Sequence, residues 1–241
     1  MCLRARPHPY PEAPSSPATP RPSPPPPAPA PAPAPAPPTA PPTAPRAESL
    51  PASLPAARIA HLGELLAAAF QQDALTRWMI PDDRRRAELL PGFFRVFLDL
   101  SGAHDGVVTT PDGDAVMLHL PPDARPDEAA LEAALDAALG PYAPAMRTIA
   151  ALQAARHPAG PPHYTVSFGA VRAGRRQSGV MSGLLAGLLD RADREGVATY
   201  SEASSPGGEA ALLRAGFARL GPDIVLPDDG PALRPMWRDP R

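Results

Sequence analysis

Residues 163–185 have the sequence "HYTVSFGAVRAGRRQSGVMSGLL", and this stretch decides how the chain folds. Its first nine residues are rich in β-branched and aromatic side chains, which predicts a strand. The alternating residues expected on one face of that strand are Tyr164, Val166 and Phe168. After a polar loop, Gly179 opens a predicted helix whose apolar residues recur at a spacing of four, namely Val180, Leu184, Leu188 and Ala192. A strand, a polar loop and a helix therefore follow one another.

The first 55 residues differ in composition from the rest of the chain. They hold 22 of the 39 prolines and contain an alternating Ala-Pro tract that ends near Pro38. Such a segment buries too little apolar area to offset its ordering entropy, and it favours extended polyproline II structure. We therefore predict a disordered tail over residues 1–55 and one folded domain over residues 56–241. The PxxP matches in the tail arise by chance in so proline-rich a tract, so partner recognition through them rests on composition alone.

Charge and cysteine content exclude several classes of protein. All 23 basic residues are arginine, and 25 acidic residues give a formal net charge of -2, so the basic excess of a nucleic-acid binder is missing. The longest arginine run, Arg84–Arg86, is flanked by acidic residues and predicts a solvated helix face. Cys2 is the single cysteine and the histidines show no HExxH pattern, which argues against a disulfide and against a metal site. With no signal-like or 18-residue apolar stretch, we expect a cytoplasmic protein outside the membrane.

The rest of the chain alternates between helical and strand patterns. Residues 58–70 and 82–98 carry helical stripes, and Pro91 is expected to kink or divide the second helix. A hairpin is predicted over residues 107–120, because Asp112-Gly113 lies between two β-prone runs. Further elements are predicted as helices from residue 126 and over 143–155, a strand over 197–203, a helix over 206–214, and strands over 217–220 and 233–238. Prolines in residues 47–57 predict that a first edge strand is short or absent.

These segments resemble the GNAT superfamily of N-acetyltransferases. The family has a strand followed by Gln/Arg-x-x-Gly-x-Gly/Ala at the start of a helix, and residues 176–181, "RQSGVM", occupy that pattern. Four further segments look like the actinobacterial branch that includes puromycin-type N-acetyltransferases: "AAAFQQDALTRWMIPDDRRR", "AVMLHLPP", "YSEASSPGGEAALLRAGF" and "LPDDGPALRPMWR". The resemblance covers about residues 58–241. It implies an α/β GNAT fold, with a mixed, mostly antiparallel sheet flanked by helices and splayed near a site for CoA.

The resemblance implies that acetyl-CoA binds at the loop before the helix. Unpaired backbone N–H groups and the positive end of the helix dipole suit the pyrophosphate of CoA, and a glycine at position 179 lets the backbone approach it. The implied cofactor-binding residues are Ala170, Val171, Arg176, Gln177, Ser178, Gly179, Val180, Met181 and Ser182. Backbone groups near Ala170 and Val171 would polarise the thioester carbonyl. The alternative is an ordinary helix start that Ser178 caps.

The later motif of the family is altered in this sequence. The family's Asn and Tyr fall at Gly208 and Leu212, and Met181 replaces the third small residue of the loop. In the family that Tyr often protonates the leaving thiolate, which Leu212 cannot do. Glu202 stands where the branch carries a carboxylate and is the candidate general base; the alternative is an outward-facing or Arg-paired carboxylate. Tyr200, two residues earlier on the same face, is a core residue or a reserve acid.

The implied function is transfer of an acetyl group from acetyl-CoA to a primary amine of a small molecule. Trp78 and Tyr142 are the candidate acceptor-binding residues, and a place in the core is the alternative for both. The alternative function is a degenerate, non-catalytic GNAT domain that binds acyl-CoA or a metabolite. No metal, nucleic acid or membrane is implied, and the sequence leaves the amine and the oligomeric state open.

Overall fold

The computed structural model describes residues 48–49, 55–175 and 178–241. Apart from residues 48–49 and 55, the predicted disordered tail lies outside the described residues. Arg176 and Gln177 of the predicted cofactor loop lie outside them as well.

The helices and strands follow one another along a mixed α/β chain. In order they are β1 (Glu48–Ser49), α1 (Ala56–Phe70), α2 (Ala74–Met79), α3 (Asp83–Gly102), β2 (Val107–Thr109), β3 (Ala115–Leu120), α4 (Glu128–Leu139), α5 (Ala143–Ala154), β4 (His163–Val171), α6 (Val180–Glu195), β5 (Ala198–Ala203), α7 (Pro206–Arg214), β6 (Ala218–Arg219), β7 (Ile224–Val225) and β8 (Ala232–Arg238). Short 3₁₀ turns precede α5 and follow β4. Among the described residues, no helix is both long and apolar enough to cross a bilayer.

The strands form one mostly antiparallel sheet between two layers of helices. Its order is β1-β2-β3-β4-β5-β8-β6, with β7 also paired to β8, and β4 and β5 run parallel to each other. Buried residues of α1, α3, α4 and α5 form a core on one face. Those of α6 and α7 form a second core on the opposite face. The predicted fold class, a helix-flanked and mostly antiparallel sheet, is confirmed.

Most predicted elements are present, and β1 is short as expected, since two residues pair with β2. Helix α3 is not divided at Pro91 but continues through it. A proline inside a helix removes one hydrogen bond and costs about 3 kcal/mol. Burial of Leu90, Phe93 and Phe94 on both sides of the proline contributes roughly 1.5–3 kcal/mol each, which outweighs that loss.

The predicted solvated face of Arg84–Arg86 is wrong at Arg86, which is fully buried. Its guanidinium donates to the backbone carbonyls of Gln71, at 2.8 Å, and Ile80, at 2.6 Å, and pairs with Asp83. These carbonyls flank α2, a helix that lies between the two predicted helical stripes. A buried arginine is tolerated here because its N–H groups are paired.

Strands β4 and β5 separate halfway along β4. They pair from His163 to Val166 only, opposite Ala198 to Ser201. At that point Val166 and Phe168 face adjacent residues of β3, so Ser167 is an extra residue in β4. Such a bulge bends the strand away from its neighbour. Beyond it, β4 stays with β3 and β5 stays with β8.

The bulge also overturns one detail of the sequence analysis. The side chains of Tyr164, Val166 and Phe168 were expected on one face of the strand. Tyr164 and Val166 pack with the α6 core, whereas Phe168 packs with the opposite core. The additional residue Ser167 shifts the alternation by one, so the side chains beyond it change face.

Gly106 lies where the chain passes from α3 into β2, and we predict that Gly106→Ala destabilises the protein strongly. The Gly106 N–H donates to the Ser101 carbonyl at 2.7 Å, and its own carbonyl accepts from the His119 N–H at 2.8 Å. An added Cβ would overlap the His119 backbone carbonyl. We expect a loss of about 2 to 3 kcal/mol in urea unfolding. The control Gly92→Ala, exposed inside α3 with open space around it, should gain up to about 1 kcal/mol; equal stability of the two variants would contradict the packing.

A second prediction concerns pH and His119. Its side chain is 2% exposed, and burial, with the nearby Arg191 charge, lowers its pKa to about 4. The imidazole is therefore neutral in the folded state, while the unfolded chain takes up a proton below about pH 6.5. Folding stability should fall as pH drops from 6.5 towards 4, by about 3 kcal/mol from this group. Urea unfolding of wild type and His119→Phe at pH 7 and pH 4.5 measures it, and an identical loss in both would refute it.

Candidate functional site

The separation of β4 and β5 opens into a cavity of about 730 Å³. The cavity is lined from the α6–α7 face by Met181, Leu185, Gly208, Ala211 and Leu212. From the opposite face it is lined by Phe70, Phe93, Phe97, Leu135, Met146 and Ile149. Since these two groups lie on opposite faces of the sheet, the cavity passes through the sheet between β4 and β5. Its volume is in the range of small-molecule sites.

The bulged half of β4 presents backbone N–H groups to this opening. The Arg172 N–H donates to the Asp114 carbonyl, just before β3. Ala115 of β3 lies opposite Val171, and its carbonyl accepts a hydrogen bond from the Thr110 N–H, next to β2. Backbone groups alternate in direction along a strand, so the N–H groups of Val171 and Gly169 face away from β3. They face the gap that β5 has left. The N–H of Ala170 faces β3.

Helix α6 begins without a side-chain cap at the same edge of the cavity. Its N-cap residue, Gly179, has φ +78°, a left-handed conformation that favours glycine. The expected alternative, a cap from Ser178, does not form, because the Ser178 hydroxyl donates to the Arg175 carbonyl at 2.6 Å. Val180 is buried, and Ser182 is exposed in the first turn. Among the described residues no side chain caps the first N–H groups of α6, and such groups suit an anion.

The Met181 side chain packs against β4 at Gly169. A Cβ built on Gly169 would be 3.1 Å from the Met181 sulfur, so the thioether occupies the space that a side chain at position 169 would need. Met181 also lines the cavity. Because methionine has three rotatable bonds, this part of the wall can change shape at little cost.

Glu202 lies on the cavity wall at the end of β5 and is held by two donors. The Tyr200 hydroxyl donates to one carboxylate oxygen at 2.6 Å, and the Gln153 side-chain amide donates to the other. Burial, together with the bond to Glu202, raises the pKa of Tyr200 well above its ordinary value. Tyr200 therefore remains a donor at any physiological pH. Among the described residues, the hydrogen-bond partners of the Glu202 carboxylate are Tyr200 and Gln153, and none is an arginine.

Three more polar groups, from Asp73, Ser204 and His157, border the cavity. The Ser204 hydroxyl donates to one Asp73 carboxylate oxygen at 2.8 Å, and the other oxygen caps α2 through the Leu75 N–H. His157 packs edge-on against Tyr200, at 4.9 Å between ring centroids. Burial, and secondarily the His163 ring, lowers the pKa of His157, which is therefore neutral near pH 7. Within residues 55–175 and 178–241 no three metal-ligating side chains converge.

Trp78 and Tyr142, the predicted acceptor-binding residues, lie away from the cavity lining. The Trp78 indole N–H donates to the Pro227 carbonyl at 3.3 Å, and Tyr142 packs on the core of the helical layer. Their role in acceptor binding stays a prediction. In their place the structure brings Gln153 and Asp73 to the cavity. Asp73 before Ala74 is a recognisable N-cap signal, whereas nothing in the sequence of α5 distinguishes Gln153.

No family model and no curated protein matches the chain. Solved structures do match it. A structure from Corynebacterium glutamicum, described as histone acetyltransferase HPA2 and related acetyltransferase, is 26% identical, with a TM-score of 0.55 over 83% of this chain and 98% of its own. A mutant of agmatine N-acetyltransferase in its apo form is 15% identical, with a TM-score of 0.54 over 80% and 98% of the two chains. Arylalkylamine N-acetyltransferase 2 from Aedes aegypti is 12% identical, with a TM-score of 0.53 over 81% and 99%.

The last two similarities are below 25% identity and concern the fold alone. Each of the three spans nearly the whole of the matched chain, so the common part is a complete domain and not a fragment. The chain therefore has the fold of the GNAT acetyltransferases.

Proposed function

We propose that the chain is an N-acetyltransferase that transfers an acetyl group from acetyl-CoA to a primary amine of a small molecule. One observation carries the proposal: a hydrogen-bonded carboxylate, Glu202, and N–H groups of β4 that β5 does not pair border the same cavity through the sheet. This combination supplies a base and an oxyanion-type donor on two sides of one opening. The acetyltransferase neighbours support the same class of reaction, and the puromycin-type branch remains the proposal of the sequence analysis.

The residues around the gap fit acetyl-CoA. The open N-terminus of α6, from Gly179 to Ser182, suits the pyrophosphate. The N–H groups of Gly169 and Val171 suit amide and thioester carbonyls of the acyl-bearing arm, and Ala170 contributes to the wall. Arg176, Gln177 and Ser178 stay proposed phosphate contacts. When bound, acetyl-CoA supplies an activated acetyl thioester.

Glu202 is the proposed general base. An amine that enters as its ammonium form gives a proton to a Glu202 oxygen, directly or through water, before it attacks the acetyl carbonyl. Each carboxylate oxygen has two lone pairs, so the bonds from Tyr200 and Gln153 leave room for that proton. We assign Tyr200 and Gln153 as positioning residues. A thiol with a pKa of about 8.5 can leave as its thiolate without a general acid, so the reaction does not require a Tyr at the position of Leu212.

The alternative function, binding without turnover, is favoured by the identity of three residues. Met181, Gly208 and Leu212 stand where the family carries other residues, and all three line the cavity. Thiol release from acetyl-CoA across a panel of amines separates the two functions. Release with at least one amine supports transfer, whereas CoA binding without release for any amine supports the binding protein.

We predict that CoA binding depends on Gly179. A Cβ at this position meets no described atom within 4 Å, but the left-handed backbone strains any side chain placed there, so two variants with the same strain are compared. Gly179→Asp adds a negative charge beside the proposed phosphates, and Gly179→Asn has the same shape without the charge. Both residues tolerate a left-handed conformation better than other non-glycine residues. Calorimetric titration with CoA should show at least about tenfold weaker binding for Gly179→Asp than for Gly179→Asn.

Two results would contradict this assignment of the CoA site. One is equal CoA affinity of the two variants. The other is a wild-type protein that gives neither heat nor a thermal shift at millimolar CoA.

We also predict that Glu202→Gln lowers kcat/KM by at least about a hundredfold, the usual effect of removing a general base. The chain provides a matched control, because Tyr164 is also a buried strand tyrosine, and it donates to Glu195 at 2.5 Å outside the cavity. Glu195→Gln should leave kcat/KM unchanged. Tyr200→Phe should lower kcat at nearly constant CoA affinity, and Tyr164→Phe should not.

Acetylation kinetics and CoA titration of these four variants test the assignment. If Glu202→Gln and Glu195→Gln are equally active between pH 6 and pH 9, Glu202 is not the base. If both tyrosine variants lose activity together, the loss reflects stability and Tyr200 has no special positioning role.

A further inference from the structure

The part of the cavity beneath α1, α3, α4 and α5 has an aromatic wall. The Phe168 ring lies edge-on to Phe97 at 4.9 Å and to Phe70 at 5.7 Å between centroids. Phe93 lies next to Phe97 at 5.1 Å. All four rings line the cavity. Such a wall stabilises an apolar body of aromatic or alkyl character.

Helices α4 and α5 cover this wall with further apolar side chains. Leu131 and Leu135 of α4, and Met146 and Ile149 of α5, border the cavity. One turn further along α5, Gln153 reaches the Glu202 carboxylate. The cover is therefore apolar over most of its length and polar only at the end near Glu202.

The charged groups of the cavity are at that same end. Asp73 accepts a hydrogen bond from Ser204, which lies just beyond β5 and two residues after Glu202, so the two carboxylates border the same part of the cavity. His157, also at this end, is neutral near pH 7. Among the described lining residues there is no arginine, and the chain contains no lysine. The part of the cavity near Glu202 thus favours one cationic group, and the described side chains that line the part beneath α4 and α5 include no cation to pair with an anion.

We propose that the acceptor is an amine with one cationic end and an apolar body, and that the cavity rejects amines carrying a carboxylate or a second distant charge. The inference rests on the acceptor role proposed above and specifies its substrate class. The ammonium group lies at Glu202, and the body lies against the phenylalanine wall beneath α4 and α5. A second charge at the far end would be buried without a partner, and a carboxylate would face two carboxylates; both are costly.

Calorimetric titration of the full chain, with and without saturating CoA, tests this class through three probes. They are 2-phenylethylamine, phenylalanine, which is the same molecule with an added carboxylate, and spermidine, which carries several charges. We expect 2-phenylethylamine to bind at least about tenfold more tightly than either of the others. Equal or tighter binding of phenylalanine or spermidine overturns the proposal, as does the absence of binding by 2-phenylethylamine at millimolar concentration.

Two exposed alanines of α5 provide a matched pair of variants. Ala150 lines the cavity, whereas its neighbour Ala151 does not. Arginine is a good helix former, so both substitutions preserve the helix. Ala150→Arg places a positive charge in the cavity and should weaken 2-phenylethylamine binding at least about tenfold, while Ala151→Arg should not. Equal affinity of the two variants for 2-phenylethylamine would show that the cavity beneath α5 is not the binding site.

Binding and turnover can fail separately. If 2-phenylethylamine binds selectively but no thiol is released from acetyl-CoA, the substrate class stands and the transferase function fails. If thiol release is fastest with spermidine or a carboxylated amine, the transferase function stands and this substrate class fails.

Discussion

The bulge at Ser167 is the constraint on which the candidate site depends. Two parallel strands in mid-sheet normally satisfy each other's backbone groups along their full length, and here one additional residue ends that pairing at Val166. The amides beyond it remain available, a cavity opens between the two helical layers, and the end of β5 carries Glu202 along the opening. In a regular sheet β5 would satisfy those amides, and the two layers would have no connection.

Much of the fold could be predicted from sequence, because the signals involved are local. The hairpin over residues 107–120, the helical stripes and the glycine before α6 follow from spacing, turn chemistry and backbone conformation. The errors have non-local causes. Pro91 is accommodated because the core packs on both sides of it, and Arg86 is buried because distant carbonyls accept its N–H groups. The face of Phe168 depends on an insertion that only the pairing with β3 reveals.

The candidate site was predictable to a smaller extent. Glu202 and the start of α6 were identified from residues that resemble a family motif, and both border the opening. Gln153 and Asp73 were not, since they lie 49 and 131 residues from their partners; Asp73 gives only a helix N-cap signal, and nothing in α5 distinguishes Gln153. Contacts between such distant residues are set by tertiary packing, so no local pattern predicts them. The apolar part of the cavity was equally hard to predict, because its wall combines residues of five separate elements.

The bond between Gln153 and Glu202 links two parts of the domain that the chain connects only through β4 and α6. Glu202 belongs to the sheet, whereas Gln153 belongs to α5, which covers the apolar end of the cavity. Any displacement of α5 that widens the entrance therefore also removes one of the two donors from the carboxylate. Access to the cavity and the orientation of the Glu202 carboxylate are therefore coupled through the side-chain amide of a single glutamine.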